Sequence, residues 1–161
     1  MGKCDNVFIS VVFYMNMFKT TQAYQSYCER GAMLSVGMKY ETQTEVIEAT
    51  TAKAMKSGTH EVFATPALVA LCEEASVAAI APGLEPGQAT VGIEITLKHT
   101  APTPLGMHVR AQSTLIAIEG RVLTFSCEAF DEHEQIASAT HKRCIVDANK
   151  FQQKANAKLH A

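Results

Sequence analysis

Three residues that hydrolytic chemistry uses, Thr65, Glu73 and His99, stand along the middle of this chain. A threonine hydroxyl can attack a carbonyl or donate to one. A carboxylate can act as general base or nucleophile, and a histidine can carry a proton near neutral pH. Each also has a plainer explanation. Thr65 precedes Pro66 at the head of a long apolar run, where threonine is a favoured helix N-cap and proline suits the first helical position. Glu73 could share a solvated stripe with Glu74. Its apolar neighbours argue instead for a partly buried carboxylate whose pKa burial would raise. His99 sits alone on the inward face of a strand, a place more often held by a core or rim histidine. The proline-rich segment after it puts it at the edge of a cavity.

Spacing adds a constraint. Thr65 and Glu73 are eight residues apart on one helix, which separates them by about 12 Å of rise. Side chains cannot close that gap. If both serve one reacting centre, at least one of them comes from a second subunit, so hydrolytic chemistry here implies a homodimer with sites at its interface.

The elements that must position these residues can be read in order. Glu61–Pro82, EVFATPALVALCEEASVAAIAP, reads as one core helix, apolar on every face except at Glu73 and Glu74. Pro82 and Gly83 end it. Ahead of it, Gly37–Ile47 alternates as a first strand and Thr50–His60 is a connector. After it, Ala89–Thr100 alternates, with Val91, Ile93, Ile95, Leu97 and His99 on one face and Thr90, Glu94, Thr96 and Lys98 on the other. Gly92 within it predicts a bulge or a close approach by backbone or ligand. Gly106–Ile118 and Arg121–Phe130 form a hairpin through Glu119-Gly120. Gln135–Val146 is the last strand, and Asp147 caps a short helix over Ala148–Lys158. One apolar helix with five strands packs economically only if the sheet wraps the helix. The expected fold is therefore α+β: a hot-dog fold, a five-stranded antiparallel sheet around one long central helix.

Composition narrows the function classes. The chain has 161 residues, 47% of them apolar, with a net charge of −2. That suits one globular domain and offers no basic tract for nucleic acid. The five cysteines are scattered without a CxxC pair, which points to reduced thiols and a cytoplasmic protein. No metal is expected, because the histidines and acids lack ligand spacing. Val7–Phe18, VFISVVFYMNMF, is too short to span a bilayer and lacks a signal-peptide cleavage pattern, so no membrane role is expected. Residues 1–34 read as an appendage, either an extra packed element or residues ahead of a start at Met33. Residues 35–161 form the domain.

The string VFATP…E…A…AP.LEPG…VG……HTA.TP.G, followed by GR.L.F…A.D…I.S.TH.R, resembles hot-dog acyl-CoA thioesterases of the fluoroacetyl-CoA thioesterase type. The resemblance covers about residues 37–154. It implies a catalytic set of Thr65, Glu73 and His99 at a dimer interface. It places the family's active-site glycine at Gly92 and its strand-end arginine at Arg143, which would hold coenzyme A phosphate or order the site. Phe63 and Pro66, which flank the threonine, are expected at the substrate. The family's fluoroacetate specialist carries aromatic residues just before the threonine that close over a small acyl group. Here that segment is Lys56-Ser57-Gly58-Thr59-His60, with no aromatic before Phe63, and the helix opens Thr-Pro rather than Thr-Gly. The implied protein is a cytoplasmic homodimer, with tetramers open. It would hydrolyse a small acyl-CoA and use no cofactor beyond the coenzyme A of its substrate. A non-catalytic acyl-CoA binding module is the rival. A hydratase of the same fold is a second, for which HEVFATP offers only His60 with Glu61.

Overall fold

The computed structural model describes residues 33–160, so the appendage expected over residues 1–34 lies, except for its last two residues, outside the described part. Five strands form one antiparallel sheet: β1 (Lys39–Glu45), β2 (Gln88–His99), β3 (His108–Glu119), β4 (Val122–Phe130) and β5 (Gln135–Asp147), in the order β1-β3-β4-β5-β2. A long helix, α1 (Thr65–Ile80), crosses the inner face, and a short one, α2 (Ala148–Ala157), follows β5. This is the expected hot-dog architecture. Gly120 opens the two-residue turn between β3 and β4 at φ +60°, the left-handed backbone that such a hairpin needs.

The inner face alternates as an antiparallel sheet with one dry side should. Val109, Ala111 and Leu115 of β3, Leu123, Phe125, Cys127 and Ala129 of β4, and Ala137 and Ala139 of β5 are buried with Leu68, Leu71, Cys72 and Ile80 of α1. Each large side chain among these contributes about 1.5–3 kcal/mol by leaving water. A polar chain inside this core is fully partnered. Ser76 Oγ donates to the Cys72 carbonyl (2.8 Å) and receives Ser113 Oγ (2.7 Å), to which Cys127 Sγ donates (3.4 Å).

Two expectations about α1 need correction. Its N-cap is Ala64 and Pro66 stands at the second helical position, so Thr65 is the first helical residue. The Thr65 hydroxyl caps nothing and is free for another partner. The helix is also buried on one side only, because it lies chiefly over β1 and β3. Ala70, Glu74 and Val77 are exposed, Val77 by 43%. By length and composition Thr65–Gly83 would cross a membrane, yet seven α1 residues are buried inside the protein.

Strand β2 departs from strict alternation. A bulge between Gly92 and Glu94 adds one residue, Ile93, relative to β5. Since a one-residue offset turns every later side chain to the other face, the bulge divides the strand into two phases. Ahead of it Thr90 and Gly92 face inward, opposite Ile145 and Arg143 of β5. Beyond it Ile95, Leu97 and His99 face inward. Val91 and Ile93, expected inside, therefore lie on the outer face, and Ile93 is 54% exposed. The bulge and the close approach expected at Gly92 are both present.

Candidate active site

The N-terminal end of α1 meets the C-terminal end of β2. Thr65 Oγ1 lies 3.0 Å from His99 Nδ1. Nε2 of His99 is buried without a hydrogen-bond partner among the described residues. Burial holds the ring's pKa below its ordinary value, and the Ala101 carbonyl opposes that shift. With the proton on Nε2, Nδ1 is free to accept from the threonine hydroxyl. The pair is thus set for the histidine to take the hydroxyl proton.

Two turns further along α1, Glu73 is held from the opposite side of the inner face. Arg143 Nη1 donates to Glu73 Oε2 at 3.0 Å, the arginine side chain 6% exposed and the glutamate 39%. The guanidinium is fixed on three further sides. Nε donates to Thr90 Oγ1 (2.9 Å), Nη2 to the Thr90 carbonyl (2.9 Å) and Nη1 to His141 Nε2 (3.1 Å). His141 Nδ1 in turn donates to the Glu94 carbonyl at 2.9 Å. Gly92 leaves room for all this: a Cβ there would stand 3.0 Å from Glu73 Oε2 and 3.2 Å from His141 Cε1. The partly buried carboxylate expected from the sequence is found at 39% exposure, salt-bridged to Arg143 because the bulge turns Gly92 and Thr90 toward it.

Comparison with known proteins settles the family. Residues 46–149 match the family of the fluoroacetyl-CoA-specific thioesterase. The fluoroacetyl-CoA thioesterase of Streptantibioticus cattleyicolor is 43% identical over 101 residues, 63% of this chain and 73% of that protein. This chain belongs to that family. A solved structure of a fluoroacetyl-CoA thioesterase, a threonine-to-serine mutant in complex with acetyl-CoA, superposes with a TM-score of 0.74 at 34% identity, covering 78% of this chain and 98% of that one. A Thermus thermophilus protein, a thioesterase superfamily member, superposes with a TM-score of 0.73 at 25% identity, covering 78% and 93%.

Within this family member the described chain brings the sequence-predicted residues together in two groups. Thr65 and His99 form one; Glu73, Gly92 and Arg143 form the other. The helix rise keeps the groups about 12 Å apart in one chain. Pro66 is exposed beside Thr65, whereas Phe63 is 2% exposed and belongs to the core. The core, not the substrate's approach, is where that ring sits. Arg143 is nearly buried and spends its donors inside the protein, which fits ordering of the site over phosphate binding. His60 and Glu61 are exposed, and Glu61 is tied to Lys53 at 2.8 Å, so no hydratase-like pair forms. His141 and Thr90 were not legible as site residues. The only available signal for His141 was its position two residues before Arg143, which sets both on one strand face. Thr90 gave none, because its facing depends on the bulge. Two surface clefts, of about 460 Å³ beside Arg121 and Asp147 and about 320 Å³ beside Arg110 and Phe130, are lined by none of the residues of either group.

Proposed function

We propose that the chain hydrolyses a small acyl-CoA thioester to the free acid and coenzyme A, at sites shared between two copies. The observation that carries this reading is the division of one catalytic set into two half-sites, both against β2, a strand whose outer edge is open among the described residues. A long open edge invites pairing with another strand. Antiparallel pairing of β2 with β2 of a second copy brings the His99 end of one strand toward the Gly92 end of the other. Aligning their inner faces sets His99 across from Gly92 of the second copy once Ile93 is passed over as the bulge. The two-fold axis then falls at Thr96, Leu97 meets Ile95, and Lys98 meets Glu94 with opposite charge. Ala70 and Val77, exposed in one chain, face the same side as Glu73 and gain a partner.

In the joined site the thioester carbonyl sits against the first turn of α1, whose leading amides have no acceptor within the helix. His99 takes the proton of Thr65, whose oxygen attacks the carbonyl carbon. The carbon–sulfur bond breaks, and coenzyme A leaves as thiolate and takes the proton from His99. Glu73 of the second copy, oriented by its Arg143, accepts a proton from the water that attacks the threonine ester. The bond from the acyl carbon to the Thr65 oxygen breaks, that oxygen takes up a proton and the acid leaves, with Glu73 giving its proton back to solvent. Coenzyme A arrives with the substrate, and the steps call for no other cofactor. The segment Lys56-Ser57-Gly58-Thr59-His60 carries no aromatic cover and the Phe63 ring lies in the core, which suits an acyl group other than fluoroacetyl. The complex of the related thioesterase with acetyl-CoA supports a short acyl chain. A soluble, cytoplasmic enzyme fits the reduced thiols Cys72, Cys127 and Cys144. The test is thiol release from acyl-CoA esters of increasing chain length, with trapping of an acyl group on Thr65. Turnover with label on Thr65 supports the reading, whereas turnover with no trapped ester removes the covalent step.

A further inference from the structure

We infer that His141 is a positioning residue for Glu73, acting through Arg143 as an obligatory neutral hydrogen-bond acceptor. The inference rests on the role proposed for Glu73. Its own support is geometric. His141 is 1% exposed on the inner face of β5, with Phe125 of β4 on one side, ring centroids 6.2 Å apart. A backbone carbonyl can only accept, so the 2.9 Å contact with Glu94 fixes the proton on Nδ1. Nε2 of the neutral ring is then an acceptor, and the Arg143 Nη1 at 3.1 Å supplies the donor.

Nη1 has two protons, and both are spent: one on His141 Nε2, one on Glu73 Oε2. With Nε and Nη2 bound to Thr90, the guanidinium plane has no rotational freedom left. The bulge in β2 supplies three of these parts: the Gly92 clearance, the Thr90 contacts and the Glu94 carbonyl. His141 is the piece that ties the bulge to the arginine. An imidazolium in its place would turn an acceptor into a donor pointed at a cation. The charged groups facing the ring are Arg143 of its own strand and Glu73 of α1; β2 presents the Glu94 carbonyl and Gly92. Burial and Arg143 hold the pKa of the ring below the ordinary histidine value against Glu73 and Glu94.

Imidazole nitrogen NMR on the full chain reads the tautomer directly, the signals being assigned by their loss in His141→Gln. A protonated Nδ1 and a bare Nε2 at neutral pH are expected; a proton on Nε2 would overturn the inference. Two variants separate positioning from packing. His141→Gln returns an acceptor oxygen near the place of Nε2, whereas His141→Asn keeps the contact with Glu94 and leaves Arg143 without an acceptor. The Asn variant should lose kcat by roughly 30-fold with KM for the acyl-CoA within about 2-fold, and the Gln variant should stay within about 5-fold of wild type. The Nη resonances of Arg143 should be separate in wild type and Gln and merge in Asn, a readout that needs no turnover. Equal losses in both variants, or unchanged Nη resonances in Asn, would contradict the role. An enzyme inactive on every ester would refute the proposed reaction and leave the tautomer and guanidinium measurements to decide this point.

Discussion

Glu73 of the central helix and Arg143 of the last strand meet at 3.0 Å across the inner face, 70 residues apart in the chain. The arginine is nearly buried and the carboxylate half open, so the pair holds one group still while leaving the other reachable. That asymmetry suits a carboxylate that must be oriented and still touch water. It also governs how the site should be tested. Removing the carboxylate outright leaves a nearly buried guanidinium without its counter-charge, which is destabilising. Glu73→Gln keeps an oxygen for Arg143 and removes only the base.

Thr65 makes no cap and its side chain is exposed, so replacing it should touch chemistry and spare the fold. Thr65→Ala is expected to lower kcat/KM by about 10²- to 10⁴-fold, the usual range for loss of a group in proton transfer or attack. Thr65→Ser should retain part of the rate. Stability should move by less than about 0.5 kcal/mol, as for an exposed site. Thermal melts beside the kinetics check both halves, and a large fall in Tm would mean that the threonine is structural.

Gly92→Ala tests the clearance beneath Glu73. The new methyl would sit 3.0 Å from Oε2, the far end of a flexible side chain, so the glutamate can shift by a few tenths of an ångström. The fold should survive. Activity should fall by about 10- to 100-fold, because small misplacements of a reacting group are costly. An active Gly92→Ala enzyme would show that Glu73 needs no fixed position.

Where the second copy sits is open to a chemical test. Thr96 is exposed on β2 and falls on the proposed two-fold axis. Opposed residues of antiparallel strands have Cα atoms about 4.5–5.5 Å apart, within disulfide range. Thr96→Cys should therefore cross-link into covalent dimers under mild oxidation, and Thr100→Cys should not. The same pattern in both variants, or a monomeric mass for the native protein, would exclude this pairing.

Two histidines predict the acid side of the pH response. The pKa of His99 is lowered mainly by burial, and that of His141 by burial and Arg143, from the ordinary 6.5. Around His99 stand the Thr65 hydroxyl and the Ala101 carbonyl; around His141 stand Arg143, Glu73 and the Glu94 carbonyl. Below 6.5 the unfolded chain takes up protons that the folded one resists, so stability should be level above that pH and decline as pH falls through the lowered values. The acid limb of kcat/KM should likewise lie below 6.5, since a protonated His99 cannot accept from Thr65. A limb above 6.5 would assign the essential base to another group.

Much of this was written in the sequence, and the exceptions have physical causes. The apolar helix, the hairpin at Gly120 and the strand ending at His99 follow from period and turn chemistry, which are local. Glu73 and His99 stood out as residue types at odds with their surroundings, whereas Thr65 read as an ordinary helix start and gained its role from the resemblance. Arg143 and Gly92 came through the family resemblance alone, and the His141 and Thr90 contacts around Arg143 did not show, because they form only after a bulge reverses the facing of Thr90 and Gly92. A bulge costs one unpaired residue, and a lone glycine marks its neighbourhood without telling which residues turn inward. The exposure of Ala70 and Val77 was hidden for a different reason. An apolar helix reads the same whether a sheet or a second copy covers its far side.

The most direct measurement is a subunit-mixing assay. Thr65→Ala and Glu73→Gln, each purified and each nearly inactive, are exchanged in equal amounts, and thiol release from a short acyl-CoA is followed. If Thr65–His99 of one copy works with Glu73 of the other, mixed dimers carry one intact site, and random exchange should restore about one quarter of wild-type activity. No recovery after exchange has been verified by mass would place the whole catalytic set within a single chain and contradict the account.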